Sequence, residues 1–184
     1  MYNDILKALE FSSKVHKHQR REFSNEPYIN HPIRVANNPV VISLGSDAIC
    51  VGLLHDCIED GEYPEEIDLY IKSNFSSDVY ETCLLLTHNR LVENYDSYKA
   101  KVLASNNKIA LAVKYADSLD NSKPESSMSD QWIERCKKYL IYSNKYKEVL
   151  DSLPNETVSS KRTWNGIEIA SQHSNDGMIL LQSN

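Results

Sequence analysis

Acidic and imidazole side chains stand at several places where the surrounding sequence is apolar. His31 begins an apolar segment, and His55-Asp56 ends the run Val51-Gly52-Leu53-Leu54. Glu59-Asp60 follow at once, and Asp117 comes directly after an apolar stretch over 109–116. An ionised carboxylate taken out of water without a partner costs several kcal/mol, so Asp56 and Asp117 need compensation. A divalent cation supplies it. Neighbours on a helix point about 100° apart, so His55 and Asp56 share one ion only if it lies beside their helix. His31 and Asp117, arriving from other segments, are the natural ligands for the remaining positions. Two imidazoles with two carboxylates and no thiolate suit manganese, iron or zinc better than calcium or a soft metal. Glu59 falls one turn beyond His55, and Asp60 one turn beyond Asp56. Both carboxylates are therefore candidates to orient and deprotonate a water beside the ion, the requirement for hydrolysing a phosphoester. Asn121, one turn after Asp117, is placed to hold substrate or water.

Helices must position these groups. Apolar residues recur at helical spacing through Ile5, Leu6, Leu9, Phe11 and Val15, then through Ile33, Val35, Ala36, Val40 and Ile42. The spacing predicts further helices over 47–57 with Ser46 as N-cap, and over 63–73, 77–87, 94–104, 108–121 and 129–150. Breaks are expected at 22–30, at Gly61 and at 122–127. The result is an all-α bundle. Residues 1–152 form the predicted domain, and 153–184 a C-terminal extension. There the Asn165-Gly166 pair and Asp176-Gly177 before 178–181 predict either a short docked hairpin or an irregular tail.

Composition narrows the function classes. The chain has 184 residues, 41% apolar and 25% charged, as expected of one folded domain. A net charge of −6 argues against duplex DNA or an anionic membrane as partner. A small anionic ligand fits better, because Lys14, His16, Lys17, His18, Arg20 and Arg21 gather positive charge before the proposed site. His16, on the apolar side of that segment, is placed to pack behind the metal ligands. No run approaches the roughly 18 apolar residues of a membrane span, and the start at Met1-Tyr2-Asn3-Asp4 lacks the pattern of a signal peptide, so a cytosolic protein is expected. Cys50, Cys57, Cys83 and Cys136 make no C-x-x-C pair and read as reduced, buried thiols. The five glycines form neither dinucleotide-binding nor P-loop motif.

Four motifs carry a family resemblance. Gln19-Arg20-Arg21, Pro27-Tyr28-Ile29-Asn30-His31-Pro32, Leu53-Leu54-His55-Asp56-Cys57-Ile58-Glu59-Asp60 and Val113-Lys114-Tyr115-Ala116-Asp117-Ser118-Leu119-Asp120-Asn121 resemble, in order and approximate spacing, those of the HD-domain hydrolases of RelA/SpoT type. The Trp132, Arg135, Tyr139 pattern is similar to that of the small stand-alone alarmone hydrolases. The resemblance implies an HD-domain helical bundle with one Mn²⁺ held by His31, His55, Asp56 and Asp117. It implies that Glu59 and Asp60 position and activate water, that Arg21 lies near the base and phosphates, and that Asn121 contacts the nucleotide. Arg135 and Tyr139, one helical turn apart, either reach distal phosphates or face water, as does Lys138. The implied reaction removes the 3′-diphosphate of guanosine tetra- or pentaphosphate, giving GDP or GTP and pyrophosphate.

Two places depart from the family's pattern. Glu22 stands where a lysine is usual, and residues 117–121 read D-S-L-D-N where D-R-L-H-N is common. Both changes make the polar lining more acidic. They keep open another phosphorylated substrate, such as a purine alarmone or a dinucleotide 2′-phosphate. A non-catalytic nucleotide-binding module that retains the fold is a separate alternative, against which the intact Glu59 and Asp60 argue.

Overall fold

A computed structural model describes residues 2–124, 128–154, 162–164 and 167–169. The chain divides into two compact units, Met1–Leu153 and Pro154–Asn184. Helices α1 (Tyr2–Val15), α2 (Asn30–Ala36), α3 (Pro39–Ser43), α4 (Ser46–Leu54), α5 (Cys57–Asp60), α6 (Pro64–Asn74), α7 (Ser77–Leu86), α8 (Tyr95–Ala104), α9 (Lys108–Asn121) and α10 (Asp130–Ser152) build the first unit. In the second, β1 (Arg162–Trp164) pairs antiparallel with β2 (Ile167–Ile169), Trp164 opposite Ile167. The predicted Asn165-Gly166 turn and the 176–181 segment lie outside the described residues. No described helix is long and apolar enough to cross a membrane.

The helix starts follow local chemistry. Ser76, Asn94 and Asn107 each accept an amide hydrogen from the first turn of α7, α8 and α9, satisfying donors that the helix itself cannot. Such a cap is worth about 1 kcal/mol. The apolar run in 33–42 is two helices rather than one, because Pro39 lacks an amide hydrogen and holds Asn38 extended before it. Asn38 then caps α3 by accepting from the Val40 amide. Ser46 is not the cap of α4 but its first residue. Gly45 takes the cap position at φ 93, a left-handed conformation that favours glycine.

Helix α9 forms the axis of the core. Ala110, Leu111, Ala112 and Val113 have no exposed surface, and α2, α3, α4, α7, α8 and α10 all pack against this helix. Each buried Val or Leu contributes roughly 1.5–3 kcal/mol, so α9 is held firmly in register and its last turn carries Asp117, Asp120 and Asn121 to a fixed place. The four cysteines are free and buried in this structure.

Helices α2 and α4 cross at Gly52, where an added Cβ would lie 2.9 Å from Ala36 Cα. Backbone cannot yield as a flexible side chain can, so Gly52→Ala is expected to destabilise the fold by about 1–3 kcal/mol. Urea denaturation checks this, and an unchanged midpoint contradicts it. The same crossing brings His31 on α2 opposite His55 at the end of α4.

Candidate metal centre

The helix expected over 47–57 is interrupted at the site. His55 Nδ1 lies 2.9 Å from the Gly52 carbonyl, the acceptor that the Asp56 amide would need to continue α4. The helix therefore ends at Leu54, and α5 begins at Cys57. A carbonyl only accepts, so Nδ1 carries the hydrogen and His55 Nε2 is left with a lone pair. That atom is fully buried and has no hydrogen-bond partner. His31 is arranged likewise: its Nδ1 lies 2.8 Å from Asp120 Oδ2, which turns Nε2 toward the same point.

Two carboxylates meet these nitrogens. His31 Nε2 lies 3.2 Å from Asp117 Oδ1 and 3.6 Å from Asp56 Oδ2, while His55 Nε2 lies 3.2 Å from Asp56 Oδ1 and 3.9 Å from Asp117 Oδ1. His31, His55 and Asp117 are buried, and one donor atom of each lies within 4.8 Å of the others. All four expected ligands thus converge from α2, the α4–α5 junction and α9. An orphaned imidazole lone pair beside carboxylate oxygens is repulsive unless a cation or proton stands between them, so the donor set fits a divalent ion.

The electrostatics point the same way. Burial opposes the ionisation of Asp117, but Lys114 beside it and the hydrogen bond from His31 hold its carboxyl well below the usual range. Lys114 Nζ sits 2.5 Å from Asp117 Oδ2, leaving Oδ1 for the imidazoles. Burial also opposes charge on His31, yet Asp117, Asp120 and Asp56 raise it to about 9. The proton so favoured and a cation compete for one position at Nε2.

The hydrogen-bond partner of the His31 ring is Asp120. His16 is buried behind Asp56: its Nε2 lies 3.7 Å from Cys57 Sγ, its Nδ1 faces Gln19 Oε1 at 2.6 Å, and its ring packs on Tyr28 at 4.9 Å. Asp120, the second acid of D-S-L-D-N, lines a cavity beside the site, and cations stand against it there. Arg34 Nε at 2.8 Å and Lys123 Nζ at 2.9 Å offset its charge while it orients His31. Burial disfavours its ionisation, but His31, Arg34 and Lys123 hold the carboxyl far below its ordinary value. Asp120→Asn is expected to weaken metal affinity about 10- to 100-fold, with added metal restoring saturation. A metal titration checks this, and an unchanged dissociation constant contradicts it.

Beside the four converging side chains opens a cavity of about 450 Å³ that draws together Glu59, Asp60, Arg21, Asn121, Arg135 and Tyr139, all expected from sequence. The loop after α1 places the first arginine: it folds back through Arg21 N–H to the Glu26 carbonyl at 3.0 Å and Tyr28 N–H to the Gln19 carbonyl at 3.0 Å. Arg21 donates to Asn121 Oδ1 at 2.8 Å, and Asn121 donates to Asp117 Oδ1 at 2.6 Å. Arg135 donates to the Tyr139 hydroxyl at 3.1 Å. These last four residues and Tyr28 also line an adjoining cavity of about 630 Å³, together with Glu22. Lys138 lines other cavities.

Tyr28, His88 and Arg90 also meet the site. The Tyr28 hydroxyl lies 2.8 Å from Asp56 Oδ2 and 3.1 Å from Asp60 Oδ2, bridging the two carboxylates. Burial, Asp56 and Glu59 together push the Asp60 carboxyl above its ordinary value. Glu59 is held from the α7–α8 loop, by the His88 amide at 3.0 Å and by Arg90 at 3.0 Å. No local pattern announces His88 or Arg90, because their contact with Glu59 spans 29 and 31 residues.

Comparison with known proteins accords with this geometry. A family model described as HD domain matches residues 8–127. The chain belongs to the HD-domain family. Among curated relatives of this HD domain, a probable guanosine-3′,5′-bis(diphosphate) 3′-pyrophosphohydrolase of Mycoplasma pneumoniae is 35% identical over 128 residues, 64% of this chain and 17% of the relative. A guanosine-3′,5′-bis(diphosphate) 3′-pyrophosphohydrolase of Aquifex aeolicus is 30% identical over 125 residues, again 17% of its length. The chain thus spans only a small part of these longer proteins. A solved structure of a metazoan ortholog of SpoT that hydrolyses ppGpp shares the fold, with a TM-score of 0.62 at 23% identity over 81% of this chain and 86% of that one.

Proposed function

We propose that this HD domain is a manganese-dependent pyrophosphohydrolase that removes the 3′-diphosphate of guanosine tetra- or pentaphosphate in the cytosol. The observation that carries the reading is the unpartnered, buried His55 Nε2 facing His31, Asp56 and Asp117, the two carboxylates of which also line a cavity bearing arginines. The names of the relatives support the choice of substrate.

In this reading His31, His55, Asp56 and Asp117 hold the ion, which when bound lowers the pKa of water and offsets phosphate charge. Lys114 keeps Asp117 aimed by occupying its second oxygen. Tyr28 steadies Asp56 and Asp60 together, so that Asp60 and Glu59 orient the attacking water and accept its proton. Arg21 and Arg135 meet the nucleotide's phosphates, Asn121 holds Arg21 in place, and Tyr139 supports Arg135. One water is consumed and GDP or GTP leaves with pyrophosphate.

Incubation of the Mn²⁺-loaded protein with a panel of nucleotides tests the reading. Guanosine tetraphosphate is expected to yield GDP and pyrophosphate. If it survives while another phosphorylated nucleotide is cleaved, the substrate is wrong and the hydrolase stands. Binding of nucleotide without any product overturns the enzymatic reading.

A further inference from the structure

We infer that Arg90 grips the departing diphosphate, and that it rests on Glu59 until phosphate draws it away. The inference rests on the phosphohydrolase reading and names a binding residue that its motifs do not contain. Arg90 Nη2 lies 3.0 Å from Glu59 Oε1 and 3.9 Å from Asp60 Oδ1, on the wall of the cavity that holds Asp117.

Arg21 and Arg135 line the same cavity and already meet the nucleotide's phosphates in that reading, while two further cations are committed elsewhere. Arg34 is committed to Glu26 and Asp120, and Lys114 is buried against Asp117. Arg90 differs because its side chain is 71% exposed, and an exposed ion pair contributes little to stability. A diphosphate, with several charged oxygens that match the guanidinium fork, outcompetes a single carboxylate for it. Movement of the side chain disrupts no packing, since Leu91 and Val92 beyond it are 96% and 77% exposed.

Glu59 does not follow when Arg90 leaves. The His88 amide still holds Oε2 at 3.0 Å, and the His88 ring is fixed to the Glu93 carbonyl at 3.0 Å. Loss of Arg90 therefore bares Oε1 of an otherwise anchored carboxylate. Arrival of the diphosphate and exposure of the group that orients water become one event.

Equilibrium dialysis of labelled pyrophosphate in excess Mg²⁺, alongside steady-state kinetics on guanosine tetraphosphate, tests this. Arg90→Ala is expected to weaken pyrophosphate binding at least tenfold and to raise KM by a similar factor, with Arg90→Lys recovering part of both. The weakening persists in a Glu59→Gln background if Arg90 touches phosphate itself. Equal pyrophosphate affinity in the wild type and Arg90→Ala, or an effect confined to kcat, overturns the inference. Binding of pyrophosphate that depends on Arg90, in a protein that leaves guanosine tetraphosphate intact, upholds the grip and overturns the proposed substrate.

Discussion

Asp117→Ala is expected to strip the protein of metal and to lower its unfolding free energy by about 3–5 kcal/mol, the range for breaking a buried pair by removing one partner. The size of the effect follows from what the carboxylate holds. Lys114 is buried, and its ammonium stays charged despite desolvation chiefly because Asp117 faces it. Without Asp117, that charge has lost the carboxylate that compensates it, and Asn121 and His31 lose a hydrogen-bond partner. The pH dependence has a definite sign. Asp117 has a folded-state pKa below its unfolded value, so its contribution is complete above the ordinary carboxylate range and disappears as pH falls through the folded value. The variant should therefore lose less stability than the wild type on acidification. Chemical denaturation at neutral and acid pH, with elemental analysis, measures all three effects. A loss under about 1 kcal/mol, or stoichiometric metal in the variant, contradicts the account.

Glu59→Gln and Asp60→Asn are expected to do the reverse, keeping the metal while lowering turnover by about 10²- to 10⁴-fold. Neither carboxylate joins the four converging donors, yet both line the cavity beside them. Asp60 adds a second signature. Burial and the neighbouring acids Asp56 and Glu59 raise its pKa, so ionising it subtracts stability as pH rises through the unfolded and then the folded value. The wild type carries this penalty at neutral pH. Asp60→Asn removes it, so the variant should melt higher than the wild type while turning over far more slowly. Wild-type rates in both variants remove these residues from the assigned role, and a destabilised Asp60→Asn contradicts the burial penalty on its charge.

Much of this was open to reading in the sequence because the site is written in short-range rules. The run from 108 to 121 matches α9 at both ends, since Asn107 caps it and its apolar residues cover every face. The four converging side chains are legible because carboxylates and imidazoles interrupt apolar segments, where burial without compensation is too unfavourable to be incidental. What periodicity missed were events in which a side chain competes with the backbone. The break between α4 and α5 occurs because the His55 ring takes the Gly52 carbonyl, and no hydrophobic pattern records that exchange. The acidity of Asp120 likewise says nothing of Arg34, which reaches it across 86 residues. Arg90 and His88 were missed because a loop contact with Glu59 has no spacing to betray it.

The most direct measurement is a crystal soaked in Mn²⁺ and recorded at the manganese absorption edge. One anomalous peak is predicted, in contact with His31 Nε2, His55 Nε2 and a carboxylate oxygen each of Asp56 and Asp117. A peak located elsewhere, or hydrocarbon filling the space between those four side chains, would contradict the account at its base.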